Sequence, residues 1–463
     1  MKTTLIYTLS LGLLVATTGC SDFLEKEPPL NITEQDVFSS PERLDGAVLG
    51  LYGKIKNPFM GAKTYVCIEN IGDDMVNVSG NGYEALASYE MNVGMSTQDN
   101  VDTWNAAYQA INSANTFLSS LENAKETAGN KYDQYVQEAK FVRAFCYYYL
   151  NMLYAKPYKL DNNAKSVPLR LKAENDLSGN DCPQSSVKEI FEQVLRDLSD
   201  ISALPATGNT YATVTRASQA AACMLRMRCY MAMEDWDKAI AAGEAISGYA
   251  LSPDIATVFS APYYCEETIF TFPMASTNQA GMQAAVPYFH YSGSSLVLDV
   301  KSGIQGKAGY GLESDARISK LTGTANSQPI LKKFTDGASY LDWVPIFRYA
   351  ETLLNLAECY AMTGNEEKAK SALAQVRHRS VPAASDPLDI ASLSGERLKE
   401  AIYNERRAEL IGEAIRALDI HRRAENFAKG QGTPKAFTVT PTTNGYIWPI
   451  PTIERAVNKL ITD

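Results

Sequence analysis

The chain has 463 residues with 45% hydrophobic and 10% aromatic content, enough for a large core in one or two domains. Lys and Arg number 43 against 53 Asp and Glu, a formal charge of −10, and no strongly basic run occurs, which argues against nucleic acid as a partner. The three histidines, His290, His378 and His421, lie too far apart for a metal-ligand spacing.

Residues 1–19 read as a targeting segment: Lys2 is the positive start and Leu5–Ala16 the apolar stretch, too short to span a bilayer as a mature helix. Thr17-Thr18-Gly19 before Cys20 resembles a bacterial lipoprotein cleavage site, in which Cys20 becomes the acylated N-terminus. Thr17 departs from the aliphatic residue usual there, and an ordinary secretory signal with an incidental cysteine is the alternative. Residues 20–31, with Pro28-Pro29, read as a tether. Of the other cysteines, Cys146, Cys223, Cys229 and Cys359 fall in helical patterns and read as core. Cys67, Cys182 and Cys265 fall in loops, where a bridge is open but unsupported.

The remainder, 32–463, reads as one domain. Ser40 as cap and Pro41 at the first helical position predict a helix reaching Lys56. Residues 57–100 have little helical period and read as a long loop region with short strands at best, and such loops are usually functional. Residues 102–123 and 132–155 predict helices; Phe141, Phe145, Tyr148 and Met152 form the apolar stripe of the second. Ser186 with Glu189 three residues on is a capping box opening another. Residues 217–246 and 345–380 predict two helix pairs of tetratricopeptide type. Tyr230, Trp236 and Ala239 hold the same offsets as Tyr360, Glu366 and Ala369, while Glu234 replaces the turn glycine, Gly364. Between them, 249–343 is rich in Pro and Gly and reads as a second irregular excursion. A charged helical stretch at 398–425 and an irregular end close the chain.

No nucleophile elbow or phosphate-binding glycine loop is visible. Asp73-Asp74 fails as a glycosidase pair, because adjacent residues diverge and hydrolysis needs two carboxylates facing one bond. Glu405, Arg406, Arg407, Glu409, Glu413 and Arg416 read as i,i+3 and i,i+4 ion pairs along a helix. Flat rings with planar amides or carboxylates beside them are the material of a ligand face, and the two excursions supply both. The first has Tyr65, Asp73, Asp74, Asn77, Asn81, Tyr83 and Tyr89; the second has Tyr263, Tyr264, Tyr288, His290, Tyr291 and Tyr310. Tyr83, Tyr288 and Tyr291 are the leading ring candidates for the ligand, and Asn81 and Asp73 the leading polar ones.

Seven segments in order carry a family resemblance: CSDFLEKEP with ITEQDVFSSPERLDGAVLGLY, TWNAAYQAINSANTFL, EAKFVRAFCYYYLNMLYAKP, the repeat at 217–252, RYAETLLNLAECYAMTGN, NERRAELIGEAIRALDIHR and WPIPTIERAVN. The chain resembles the SusD/RagB outer-membrane lipoproteins from Cys20 onward. It departs at Ile411-Gly412, where an aromatic-acidic pair is common, and in lacking an Asn-rich end. The resemblance implies a mainly α fold, with helix pairs as scaffold and irregular insertions carrying the ligand face. It implies a lipid-anchored protein of the outer membrane, facing the cell exterior, that binds glycans and delivers them to a SusC-like TonB-dependent transporter. It implies no catalysis, and no cofactor is expected. A peptide-binding RagB-like member and a helical-repeat adaptor that binds only proteins are the alternatives.

Overall fold

The computed structural model describes residues 34–176, 180–291, 295–430 and 436–462. The leader at 1–19, Cys20 and the tether at 20–31 lie outside the described residues.

Helix α1 (Pro41–Ile55) starts where its cap demands: the Ser40 hydroxyl accepts from the Arg43 amide at 3.4 Å and Pro41 fills the first helical position. Then come α2 (Lys63–Ile71), α3 (Gln98–Asn123), α4 (Tyr132–Tyr154) and α5 (Val187–Asp197). The capping box opens α5: Ser186 Oγ accepts from the Glu189 amide at 3.2 Å while Glu189 accepts from the Ser186 amide at 2.7 Å. The main core centres on α4, where Phe141, Phe145, Tyr148 and Met152 are all buried. Phe145 meets Phe59, Phe270, Phe272 and Phe347 edge-on, the geometry that aligns a ring's positive rim with its neighbour's negative face.

A second core cluster lies among α6 (Gln219–Ala232), α7 (Trp236–Glu244), α8 (Tyr349–Met362) and α9 (Glu366–Ser380), which pack in that order. Ala357 and Ala369 are wholly buried in it, their small side chains allowing close approach. The turns of the two pairs are alike. Gly364 has φ +81° and Glu234 φ +58°, and the six-residue closure runs from the Asn365 amide to Tyr360 O at 2.8 Å and from the Asp235 amide to Tyr230 O at 2.9 Å. The copy lacking glycine keeps the turn, at a strain cost of about 1–2 kcal/mol for a side chain in the left-handed region.

Two sequence expectations are corrected. The 57–100 excursion contains α2, whose residues Thr64–Ile71 are all buried. The helix is nine residues long and closed by Gly61 and Gly72, too short a run for its period to stand out in a Gly- and Asn-rich stretch. The charged stretch at 398–425 is two helices, α10 (Gly395–Leu410) and α11 (Arg416–Arg423), broken where Gly412 has φ +79° and Ala414 φ +55°. Its charges mostly reach across the fold. Arg422–Asp419 keeps helical spacing, but Glu409 pairs with Arg348, Arg379 and Arg317, and Arg406 with Asp419.

The strands of the described residues form two-stranded ladders. Two of these ladders tie distant segments together. Met75–Asn77 runs antiparallel to Leu296–Leu298, which joins the two excursions. Thr268–Phe272 runs antiparallel to Val344–Arg348.

Candidate ligand-binding face

The two excursions are fastened into one face. Lys56, at the end of α1, donates from Nζ to Pro273 O at 2.7 Å and Asn278 O at 2.8 Å, and burial pushes its ammonium down to about 8. Asn57 donates from Nδ2 to Asn278 Oδ1 at 2.8 Å. Across the shared ladder, Asn77 stands opposite Leu296.

Tyr288 lies on the short helix Val286–His290 and meets Tyr340 edge-on at 6.0 Å. Glu84, the neighbour of Tyr83, lies against Tyr288: partial burial and then the Glu84 charge push the Tyr288 phenol up. Tyr83 is 69% exposed. Asn81 Oδ1 accepts from the Tyr83 amide at 3.0 Å and so fixes that turn, while its Nδ2 has no partner among the described residues. Tyr291 is exposed and lies over Gly337, where an added Cβ would fall 1.8 Å from Tyr291 Cδ1. The close approach of ring to backbone requires glycine there.

Asp73 has a different place. Arg416 holds its carboxylate with Nε to Oδ1 at 2.5 Å and Nη2 to Oδ2 at 3.0 Å, and Arg407 lies 3.3 Å away. Burial alone would push the carboxyl up; the Arg416 charge and hydrogen bonds, with Arg407, hold it below its ordinary range. Asp74 takes Arg407 through both oxygens, at 2.7 and 3.0 Å, and accepts from the Ile304 amide at 2.7 Å. Both carboxylates are paired with arginines inside the fold, which sets Asp73 apart from the exposed Tyr83 and Tyr291. Tyr65, Tyr89, Tyr310 and His290 are buried core residues. A tyrosine count in a loop does not distinguish a ring that packs from one that faces solvent.

Beside the rings lies a cleft of about 380 Å³ between α2 and α3. It shares a wall with the ring cluster, since Ala62 and Ala284 line the cleft and also pack in the small group that holds Tyr340. Lys63 Nζ lies 2.6 Å from Asp99 Oδ1. Asp99 is 5% exposed, and its Oδ2, like Asn57 Oδ1, is a buried acceptor without a hydrogen-bond partner among the described residues. The polar side chains of the cleft that solvent reaches are Asp102, Asn105 and Gln109. Lys63 and Asp99 are not among the sequence candidates: Lys63 opens a short helix inside a stretch that reads as loop, and Asp99 reads as an ordinary first-turn carboxylate.

Among the described residues no group of three or more His, Cys, Asp or Glu is arranged to hold a metal ion. Cys67, Cys182 and Cys265 are free thiols. No described helix is long and apolar enough to cross a membrane.

The architecture is that of a mainly α protein carrying one irregular face, and known proteins share it. A family profile described as starch-binding and associating with the outer membrane matches residues 22–231, and the profile of the SusD family matches residues 300–463. A SusD superfamily protein from Bacteroides fragilis is 52% identical, with a TM-score of 0.90 over 92% of this chain and 100% of that one. SusD-like protein P25 of Formosa agariphila is 24% identical over 89% of this chain and 88% of its own. Surface glycan-binding protein A from Bacteroides uniformis, 19% identical, superposes with a TM-score of 0.71 over 91% of this chain and 98% of that one. The chain belongs to the SusD/RagB family.

Proposed function

We propose that this protein is a carbohydrate-binding lipoprotein of the outer membrane that captures oligosaccharides at the cell exterior and passes them to a SusC-like TonB-dependent transporter. The observation that carries the reading is the joined face: the exposed rings Tyr83 and Tyr291 with Tyr288, and a cleft whose solvent-facing polar lining is Asp102, Asn105 and Gln109. Rings cover the apolar side of a pyranose, and acceptors take its hydroxyl donors. The cleft adjoins Tyr340, which meets Tyr288, so one oligosaccharide extends from the cleft to the rings. The helix pairs, of tetratricopeptide type, are the scaffold. Asn81 joins the rings as a polar contact. Family membership supports the location and the transporter, and the lipid sits on Cys20. The role is capture rather than turnover, which agrees with Asp73, Asp74, Glu405, Glu409 and Glu413 each being held by basic partners.

Calorimetry of the purified protein against a panel of oligosaccharides and an equal panel of short peptides tests the reading. Binding confined to saccharides is expected. Binding confined to peptides would transfer the protein to the peptide-binding branch of the family.

A further inference from the structure

A second group of rings lies apart from Tyr83 and Tyr291. Trp343 is its centre. Tyr263 and Tyr264 stack near-parallel to the indole, with centroids at 5.9 and 5.8 Å and planes 24° and 25° apart. Tyr211 meets it edge-on at 5.6 Å. The four rings come from three segments: the short helix Tyr211–Val214, the turn before strand Thr268–Phe272, and the residue before strand Val344–Arg348. Tyr211 is 55% exposed and the other three are partly exposed.

The arrangement is held in place. Tyr263 donates its hydroxyl to Asp342 Oδ1 at 2.8 Å, and Asp342 Oδ2 accepts from the amides of Thr335 and Asp336. Consecutive side chains of an extended segment point to opposite sides. Tyr263 breaks that alternation with φ +64°, so both tyrosines of the pair reach one indole. The left-handed conformation is unfavourable for a bulky residue and persists only where the surroundings impose it. The hydroxyls of Tyr211 and Tyr264 make no hydrogen bond among the described residues. The ring group thus offers fixed apolar faces with free phenols at the edge.

That chemistry suits a sugar ring better than a protein surface. Exposed Thr210, Ser260 and Ser339 are interspersed near these rings with exposed Ala212, Ala261, Pro262 and Ala338, so the surface is mixed rather than one contiguous apolar patch. The group is also tied to the first face. Tyr340, in contact with Tyr288, is three residues from Trp343, so their Cα atoms lie no more than about 11 Å apart. We propose that the Trp343 group is a second saccharide-contact site, and that one polysaccharide chain engages it and the Tyr288 face together. The position rests on these rings alone; the ligand class rests on the function proposed above.

Two contacts on one chain raise affinity through effective concentration, and the gain requires a ligand long enough to reach both. The experiment is affinity electrophoresis in gels containing soluble amylopectin, xylan, galactomannan or laminarin, with trisaccharides of the same sugars titrated by calorimetry. Wild type, Trp343→Ala, Tyr211→Ala and Tyr83→Ala are compared, with melting curves for each. Tyr211→Ala removes an exposed ring and leaves the core intact, so it answers even if Trp343→Ala unfolds. We expect both platform variants to lose about tenfold in retardation by the bound polymer while the trisaccharide affinity of Tyr211→Ala stays within twofold of wild type. Unchanged polymer retardation in Tyr211→Ala and folded Trp343→Ala, with loss in Tyr83→Ala, overturns this inference and leaves the first face standing. Loss in the platform variants with none in Tyr83→Ala upholds the second site and overturns the first. No retardation of wild type by any polymer overturns both.

Discussion

Arg416 holds Asp73 through two hydrogen bonds across 343 residues of sequence, and so clamps the start of α11 to the end of the loop that follows α2. Arg407 and Asp74 repeat the arrangement from α10. The first excursion is fixed to the helical scaffold by these paired ions, all nine-tenths or so buried.

Removing one partner of this clamp leaves an uncompensated buried charge. Arg416→Ala should therefore destabilise the fold by roughly 3–5 kcal/mol. Asp73→Ala should also lower stability, with saccharide affinity following only through the loss of folded protein. Denaturant unfolding of both variants, with calorimetry under conditions where they are fully folded, checks this. An Asp73→Ala protein of normal stability that no longer binds sugar would restore Asp73 as a contact.

Glu69 organises the break between α10 and α11, accepting from the Gly412 amide at 3.0 Å and the Ala414 amide at 2.7 Å. Burial pushes its carboxyl up to about 7, against the pull of those hydrogen bonds. Below about pH 4.5 folded and unfolded chains both hold the proton, and its stabilisation is complete. Between about 4.5 and 7 the unfolded chain has released a proton that the folded one keeps, so the contribution declines as pH rises, by on the order of 3 kcal/mol in all. Buried His290 and His421, pushed down to about 3 and 4, act in the opposite sense but equally in both proteins compared. The Tm difference between wild type and Glu69→Gln should shift steadily against wild type from pH 4.5 to 7. Parallel melting curves across that range would refute it.

Single changes Tyr83→Ala, Tyr288→Ala and Tyr291→Ala should each weaken saccharide binding several-fold. Covering about 50 Å² of ring contributes about 1 kcal/mol at ~25 cal/mol per Å². Two or three rings with a few exposed hydrogen bonds give roughly 4–5 kcal/mol, a near-millimolar affinity suited to a protein that hands its ligand on. Gly337→Ala should imitate Tyr291→Ala, because the added methyl occupies the place of the ring. Calorimetry with the best oligosaccharide of the panel decides. Full affinity in all four variants would move the site elsewhere.

Tyr360→Ala should behave oppositely. Its ring is buried between the helix pairs and its hydroxyl donates to Glu244 at 2.5 Å. The loss should be about 3–5 kcal/mol, against at most ~0.5 kcal/mol for Tyr83→Ala at the surface. Thermal melts of the two variants make the comparison directly.

Cys20→Ala should release the protein from membranes of cells lacking the transporter, since it removes the residue proposed to carry the acyl chains. Each acyl methylene contributes about 0.8 kcal/mol of membrane affinity, so several chains anchor durably. Fractionation after a high-salt wash reads the outcome; retention of the variant would reject Cys20 as the anchor.

By itself the sequence determined whatever depends on neighbours along the chain. Ser40 with Pro41, the Ser186–Glu189 box, the stripe of α4 and the turns at Glu234 and Gly364 are local, because caps, periodicity and left-handed turns are set within a few residues. It also placed Tyr83, Tyr288 and Tyr291 in two excursions. Only the tertiary structure decided that those excursions are one face, since Lys56, Asn57 and the Met75–Asn77 ladder reach partners more than 200 residues away. It alone paired Asp73 with an arginine from α11 and brought Tyr211 against Trp343. A carboxylate or a ring has the same residue type whether it is spent on the fold or open to a ligand. Burial and partners distinguish the two, and both are set by segments far away in sequence.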